Sequence, residues 1–375
     1  MGHAERLLDL FSGCGGFSLG AHLAGFDVGL AVDVDPILSS SFGTNFPNVK
    51  QARLDLSEVD PQELLSRFPD RRVAGIIGGP PCQGFSEIGR RHKGDARRDL
   101  VWHFFRIVAA VRPSFFVMEN VRGLGYVGNR EVLDRAVDLV ASRYEIIGPI
   151  TLDASTFGAP TQRKRIFVIG IDRREWDMPV IEDLISTSQA ITTVKDAIHD
   201  LASARLSHVD EDERDWWTYG PRGTISTYAQ DARGAPPAGL GKAAMWGRFS
   251  GHGRTRHTPS VQERFATVAQ GGQDPVGKHM RLAWTGLCPT LRAGTGSDRG
   301  SYQSVRPIHP DEDRVITARE GARLQGFPDW FMFHPTIWHS FRMIGNSVSP
   351  PMSRAVLSWI RGSRLREMEI RNAAQ

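Results

Sequence analysis

A chain of 375 residues that is 40% hydrophobic and 23% charged has room for one large domain and a smaller one, and its composition excludes large-scale disorder. No apolar run reaches the roughly 18 to 20 residues of a membrane span, and Met1 to Arg6 lacks the apolar core of a signal peptide, so a cytoplasmic protein with no membrane partner is expected. Three scattered cysteines argue against a disulfide framework, twelve histidines without paired cysteines indicate no metal site, and a formal net charge of +4 is only mildly basic.

Arg6 to Phe11 reads as a compact apolar strand, and Gly13-Cys14-Gly15-Gly16 leads into a helical pattern through Phe17, Leu19, Ala21 and Leu23. Strand, glycine turn and helix is how a doubly wound sheet offers backbone N–H groups to a nucleotide-like cofactor. Ser18 stands where the dinucleotide fingerprint requires a third glycine, which disfavours a nicotinamide. A second strand, Val28 to Val34, ends in Asp33 and Asp35, at the place where an acid accepts hydrogen bonds from ribose hydroxyls. Asp55 follows, beside Leu56. Taken singly, each of these acids is better read as a solvated loop carboxylate. Their spacing as a set is what marks a pocket.

Val73 to Ile77 has the look of a buried strand and opens into Gly78-Gly79-Pro80-Pro81-Cys82-Gln83-Gly84-Phe85-Ser86, then a loop with Arg90, Arg91, Lys93, Arg97 and Arg98. A thiol held at a strand end by two prolines, beside a positive loop, suits a nucleophile meeting an anionic substrate. Read alone, such a cysteine is more often inert packing. Leu100 to Val111 makes a helix with a wide apolar face, stopped at Arg112-Pro113. The buried strand Ser114 to Met118 ends on Glu119-Asn120-Val121, which turns a carboxylate toward the ligand crevice of an open α/β sheet. A helix over 131–142 and a strand over 145–152 come next. Gln162-Arg163-Lys164-Arg165 then runs into the strand Ile166 to Ile171. In an extended segment Arg163 and Arg165 share a face, which suits an anionic or carbonyl-bearing ligand, or equally a solvated basic strand edge.

From about residue 172 the alternation of strand and helix stops. Thr193 to Leu201 reads as one short helix, and the chain is loop-rich to about 306. Between Trp246 and Arg306 nine Lys/Arg stand against three Asp/Glu. Trp246, Arg248, His252, Arg254, Arg256 and His257 mix aromatic and basic side chains as a groove reader of duplex DNA would, although a solvated basic loop would look similar. Thr317 with Glu320 is a capping box, opening a helix that ends at Gly326. A last helix runs from Met352 to about Arg371.

These motifs in this order resemble the C5-cytosine-specific DNA methyltransferases of bacterial restriction-modification systems. Asp9-Leu10-Phe11-Ser12-Gly13-Cys14-Gly15-Gly16-Phe17 is similar to that family's first motif, Gly79-Pro80-Pro81-Cys82-Gln83-Gly84-Phe85-Ser86 to its nucleophile motif, and Glu119-Asn120-Val121 to its acid motif. Arg163 to Arg165, Pro289-Thr290-Leu291, Arg314 to Pro328 and Ile344 to Pro351 match later motifs. Departures are Asp33 for the usual Glu, Thr161 for Gln, Ser349 for Pro, and Ile88 where some relatives have Ser.

The resemblance implies an α/β fold: a doubly wound, mostly parallel sheet of the S-adenosylmethionine-dependent methyltransferase type, with a smaller loop-rich recognition domain. The expected division is 1–175 plus 340–375 for catalysis and cofactor, and 176–339 for target recognition. The implied reaction moves a methyl group from S-adenosyl-L-methionine to C5 of a flipped-out cytosine in a specific duplex DNA sequence, leaving S-adenosyl-L-homocysteine and using no metal. It implies Cys82 as nucleophile, Glu119 as acid, and Arg163 and Arg165 as catalytic partners. The cofactor falls to Phe11, Ser12, Gly13, Cys14, Gly15, Gly16, Phe17, Asp33, Val34, Asp55, Leu56, Pro80, Leu100, Asn346, Ser347 and Val348. DNA falls to Gln83, Ser86, Arg90, Arg91, Arg97, Arg248, Arg254, Arg256, Thr290 and Arg292. A monomer is expected, with a cognate restriction endonuclease acting separately on the same site. The alternatives are a same-fold enzyme acting on tRNA cytosine and a non-catalytic DNA-binding regulator.

Overall fold

The structure is a computed structural model that describes residues 5–69, 72–81, 99–187, 189–221, 223–294 and 306–373, without the side chains of 99, 127 and 364–373. Short apolar segments set the sheet: β1 (Arg6–Leu10), β2 (Asp27–Val32), β3 (Lys50–Ala52), β4 (Gly75–Gly78), β5 (Phe115–Val121), β6 (Glu145–Asp153) and, after the two-residue β7 (Thr161–Gln162), β8 (Lys164–Ile171). They pair in the order β3-β2-β1-β4-β5-β8-β6, parallel throughout except that β8 runs antiparallel to both neighbours. The expected doubly wound, mostly parallel sheet is observed.

Successive residues of a strand face opposite sides, and the sequence alternates accordingly. Leu8 and Leu10 of β1 with Phe116 and Met118 of β5 enter one core, covered by α3 (Pro61–Arg67), α4 (Asp99–Val111) and α5 (Val127–Val137). Leu7, Phe115 and Val117 enter the other, covered by α1 (Gly16–Leu23), α6 (Ile181–Ser186) and α12 (Pro350–Ala373). α4 ends where expected: Arg112 takes a left-handed φ of 56°, because the ring of Pro113 excludes the helical region for the residue before it. The helix expected over 131–142 begins earlier and closes sooner, and its tail tightens into turns, with Leu139 N–H reaching Ala136 and Val140 N–H reaching Val137.

The remainder has little regular structure: α2 (Phe42–Asn45), α7 (Val194–Ile198), a three-stranded sheet of β9 (Arg205–Val209), β10 (Asp215–Thr218) and β11 (Arg248–Ser250), α8 (Thr227–Ala232), α9 (Pro259–Ala266), β12 (Cys288–Pro289), α10 (Ala318–Gln325) and α11 (Ile337–Asn346). Thr193 caps α7, which breaks into a tighter turn over His199–Ser203. A third core joins the far face of α1 and α2 to this region, with Leu19, Phe42 and Phe46 packed among Phe249, Leu324, Phe331 and Phe341. Beyond residue 175, Trp176 and Leu184 are still buried with the sheet, and the Trp176 indole donates to the Ile360 carbonyl. Among the described residues no helix is long and apolar enough to cross a membrane.

α12 packs closely against α1 at Gly20. A methyl group on Gly20 would sit 1.8 Å from Ser353 Oγ and 2.7 Å from the Arg354 backbone nitrogen. Gly20→Ala is therefore expected to destabilise the protein by about 1–3 kcal/mol, the usual cost of overpacking, measured by urea unfolding. Gly128→Ala, where the added methyl meets nothing within 4 Å, should be neutral or mildly stabilising in the same assay.

Candidate active site

The carboxyl ends of the parallel strands open on one side of the sheet, where ligands bind in open α/β folds. The chain lines a single cavity there of about 530 Å³ with Phe11 to Cys14 after β1, Asp33 and Val34 after β2, Asp55 and Leu56 after β3, Gly79 to Pro81 after β4, and Glu119 in β5. From β3 to β5 is four strand spacings, roughly 19 Å at about 4.8 Å each. Arg165 joins from β8, which runs the opposite way, and Asn346, Ser347 and Val348 close the wall at the end of α11.

The glycine turn is built for close approach. Gly13 and Gly15 adopt left-handed φ of +50° and +97°, open to glycine at little steric cost. A methyl on Gly16 would lie 1.9 Å from Ser347 Oγ, so the turn also holds the last motif against the first. The Gly13 N–H donates to Asp33 Oδ2 at 2.7 Å and the Asp35 N–H to Asp33 Oδ1 at 2.8 Å. Those bonds aim the carboxylate while burial raises its proton affinity. Asp55 is more exposed; the hydroxyl and N–H of Ser57 donate to it and hold its carboxyl below the usual range. Two buried oxygens, Asp9 Oδ1 and Ser12 Oγ, have no hydrogen-bond partner among the described residues. Buried polar atoms are rarely left so, and both belong to residues that line the cavity. Acids, backbone donors and orphaned oxygens fit a ligand with hydroxyls, an amino group and positive charge, as S-adenosylmethionine has.

Glu119 lines the β5 side of the cavity. It is 7% exposed, and its Oε1 accepts from Arg165 Nε at 2.9 Å. Burial pushes its carboxyl up; the charges of Arg165 and then Arg163 pull the other way without cancelling that rise. The result is a carboxyl that keeps its proton to higher pH than usual, beside a guanidinium that can bond a second acceptor. Asn120 donates to the Pro80 carbonyl at 3.1 Å and ties β5 to the turn after β4. A methyl on Gly79 would come within 3.2 Å of Glu119 Oε2, so a side chain there would crowd the acid.

The cavity gathers the expected cofactor residues with one exception. Gly15 is not on its wall; it is the left-handed residue before α1 and packs against Phe42 and Phe46. Cys14 is on the wall, and burial raises its thiol to about 12, which makes it a poor nucleophile. Cys82, Gln83, Ser86, Arg90, Arg91 and Arg97 lie outside the described residues; Pro81, which precedes them, lines the cavity. The shared face expected for Arg163 and Arg165 does not give shared partners. Arg163 is 1% exposed, and its guanidinium donates to the carbonyls of Leu291, Gly345 and Ser347 rather than to Glu119.

Of the residues expected to meet DNA, the described ones, Arg248, Arg254, Arg256, Thr290 and Arg292, are not on the cavity wall. Arg248 lies over the Trp216 ring at 4.3 Å and donates to the Ala244 carbonyl. Arg254 pairs with Glu312 at 2.9 Å, Thr290 donates to the Gln162 carbonyl at 2.6 Å, and Arg256 and Arg292 are exposed. His252 is corrected: it is buried against Trp217 and Phe249 and bonds Thr317 Oγ1, so it packs the core instead of reading a groove. Sequence reasoning missed Asp9, Asn120 and Arg342 on the cavity wall. Asp9 stands two residues before Phe11 in its motif, whereas Arg342 reaches Asp35 at 3.0 Å across 307 residues, which no local pattern encodes.

The family described as C-5 cytosine-specific DNA methylase matches residues 6–361. Type II methyltransferase M.XorII of Xanthomonas oryzae pv. oryzae is 41% identical over 93% of this chain and 82% of its own. Type II methyltransferase M.DdeI of Desulfomicrobium norvegicum is 31% identical over 94% of this chain and 88% of its own. The crystal structure of a candidate DNA modification methyltransferase encoded within a prophage (E. coli) superposes with a TM-score of 0.82 and 37% identity, over 96% of this chain and 99% of that one. The S. pombe Dnmt2 methyltransferase shares the fold, with a TM-score of 0.62 at 18% identity over 95% of this chain and 98% of that one.

Asp9 makes the empty pocket pH-sensitive. Burial, and secondarily the charge of Asp33, raises its carboxyl to about 7 despite the bond from Ser18. The folded chain thus binds this proton more tightly than the unfolded chain does. The contribution is complete below the ordinary carboxylate value near 4 and is lost as pH rises through about 7. Stability of the ligand-free protein is expected to fall between about pH 4 and 7, and Asp9→Asn to flatten that part of the curve, measured by urea unfolding at pH 5 and pH 8.

Proposed function

The chain belongs to the C-5 cytosine-specific DNA methylase family, and we propose that it transfers a methyl group from S-adenosylmethionine to C5 of a cytosine rotated out of a specific duplex DNA sequence, protecting its host's DNA. The observation that carries this reading is one cavity that runs from Asp33 and Asp55 to the Glu119–Arg165 pair, so that a cofactor and a reacting base would lie side by side.

Asp33 and Asp55 would hold the hydroxyls and amino group of the nucleoside, the Gly13 to Gly16 turn would lie along it, and Asp9 with the Ser12 hydroxyl would receive the cationic end. When bound, S-adenosylmethionine supplies an electrophilic methyl group on a sulfonium. Cytosine C5 is too weak a nucleophile to take that methyl unaided. Cys82 as thiolate would add to C6 across the C5–C6 double bond, while Glu119 gives a proton to N3 and Arg165 bonds O2, so that the displaced electron density is taken up by the ring and C5 becomes nucleophilic. After methylation a base removes the C5 proton, Cys82 leaves C6, the N3 proton returns to Glu119, and the ring becomes aromatic again.

Rotating the base out of the stack costs a few kcal/mol. The arginines among residues 90 to 98 are proposed to meet the DNA, and residues 176–339 to read the sequence. The relatives named type II methyltransferases support a restriction-modification role, with a cognate endonuclease acting on the same site.

Bisulfite sequencing of DNA from cells expressing the chain should show conversion-resistant cytosines in a single sequence context; uniform conversion would overturn the reading. Glu119→Gln is expected to lower kcat by about 10²–10⁴-fold, the range of a lost general acid, while calorimetric binding of S-adenosylhomocysteine is retained. Because burial raises the Glu119 carboxyl, the active acid form persists above the normal carboxylate range and methylation should decline only as pH rises through that raised value. Arg165→Gln, which removes the stronger opposing charge, should move that decline to still higher pH, read from kcat against pH.

A further inference from the structure

Arg163 stands two residues before Arg165 and shares its guanidinium type, yet the structure gives it different work. Its NH1 donates to the Leu291 carbonyl at 3.2 Å, and its NH2 to the carbonyls of Gly345 at 3.0 Å and Ser347 at 2.7 Å. The two acceptor segments lie 128 and more than 180 residues further along the chain. One belongs to the end of the recognition region and the other is the cofactor wall. We propose that Arg163 is a positioning residue that fixes the recognition strand and the cofactor wall to the catalytic strand as a single unit.

Two independent features of the same seam agree. β12 pairs with β7 in parallel, Cys288 opposite Thr161 and Pro289 opposite Gln162; the Thr161 hydroxyl donates to the Cys288 carbonyl at 3.1 Å and the Thr290 hydroxyl to the Gln162 carbonyl at 2.6 Å. Gly345 lies so close to the backbone of Arg292 and Ala293 that an added methyl would be 2.4 Å from the Ala293 nitrogen. Three stretches of main chain, 161–163, 288–293 and 345–347, therefore meet with almost no side chain between them, and a buried guanidinium supplies donors to the carbonyls they leave. Only a planar fork with several N–H groups can reach three carbonyls on two segments; a lysine ammonium offers the charge at one point. A shift of residues 288–293 on seating DNA would be transmitted to Ser347 and to the β8 backbone that carries Arg165.

This inference rests on the cavity being the S-adenosylmethionine site, and the experiment separates the two. The wild-type chain should bind S-adenosylhomocysteine in calorimetry; no binding would sink the site assignment itself. With binding established, Arg163→Lys should weaken it about tenfold and raise the KM for S-adenosylmethionine in step, with kcat on unmethylated genomic DNA changed less than threefold. Arg165→Lys should do the reverse, lowering kcat with the calorimetric affinity intact. An Arg163→Lys chain that loses kcat at unaltered affinity would make Arg163 a catalytic residue, and one that changes neither would make it dispensable; both overturn the proposal. If a thermal melt shows Arg163→Lys unfolded, Thr161→Val takes its place, removing one hydroxyl from the seam without changing shape. It should weaken S-adenosylhomocysteine about threefold, and unchanged affinity in that folded variant would overturn the proposal equally.

Discussion

A carboxyl group inside a protein must be neutral or matched by a positive charge, since burying it ionised and alone is costly. Glu119 sits between those two solutions. Its surroundings are dry enough to raise its proton affinity, and Arg165 at 2.9 Å restrains that rise. Much of the architecture serves this balance. β5 must run through the centre of the sheet to bury the acid at its end. β8 must be antiparallel, because only a strand that begins at that edge can deliver Arg165 opposite Val121 in the register observed. The turn after β4 must carry glycine at 79 to leave room for the second oxygen.

The cavity wall formed by the turns after β1 and β2 meets the opposite requirement. Instead of neutralising an acid with an arginine, it holds Asp33 with two backbone N–H groups and leaves Asp9 and Ser12 with unpartnered oxygens. Donors fixed to the main chain do not rotate away, so the carboxylate is aimed before any ligand arrives. Those orphaned atoms lower the stability of the ligand-free protein. A bound group that bonds them recovers that loss, which couples occupancy of the cavity to stability of the fold.

The region after residue 190 solves a different problem, how to hold long loops in place with only a small three-stranded sheet of its own. It does so with buried ion pairs grouped around α10. Arg323 is fully buried and bridges Asp200 and Asp329 at 2.6 Å each, while Arg314 grips Glu320 at 2.8 Å inside the helix's own capping box. Pairs of this kind contribute less net stability than apolar packing would. What they supply is directionality, because each guanidinium accepts only a narrow range of geometries. These pairs hold α10 beside the strand β11 (Arg248–Ser250), whose Ser250 carbonyl accepts from Arg319.

The sequence by itself determined the elements and the chemical inventory. Alternation of apolar residues, the glycine turn after β1, the acids after β2 and β3 and the capping box at Thr317 are local, and each depends on neighbours within a few residues. The tertiary structure decided which of these groups share a partner. Two arginines on one face of an extended segment look equivalent in sequence; β8 places one on Glu119, while the other is taken by carbonyls from Leu291, Gly345 and Ser347. His252 sits in a basic aromatic stretch that suggests a groove, yet it is enclosed by Trp217, Phe249 and Thr317. Arg342 finds Asp35 across almost the whole chain. In each case hydrogen-bond partners and desolvation are set by segments distant in sequence, and a one-dimensional pattern carries no information about which distant segment arrives.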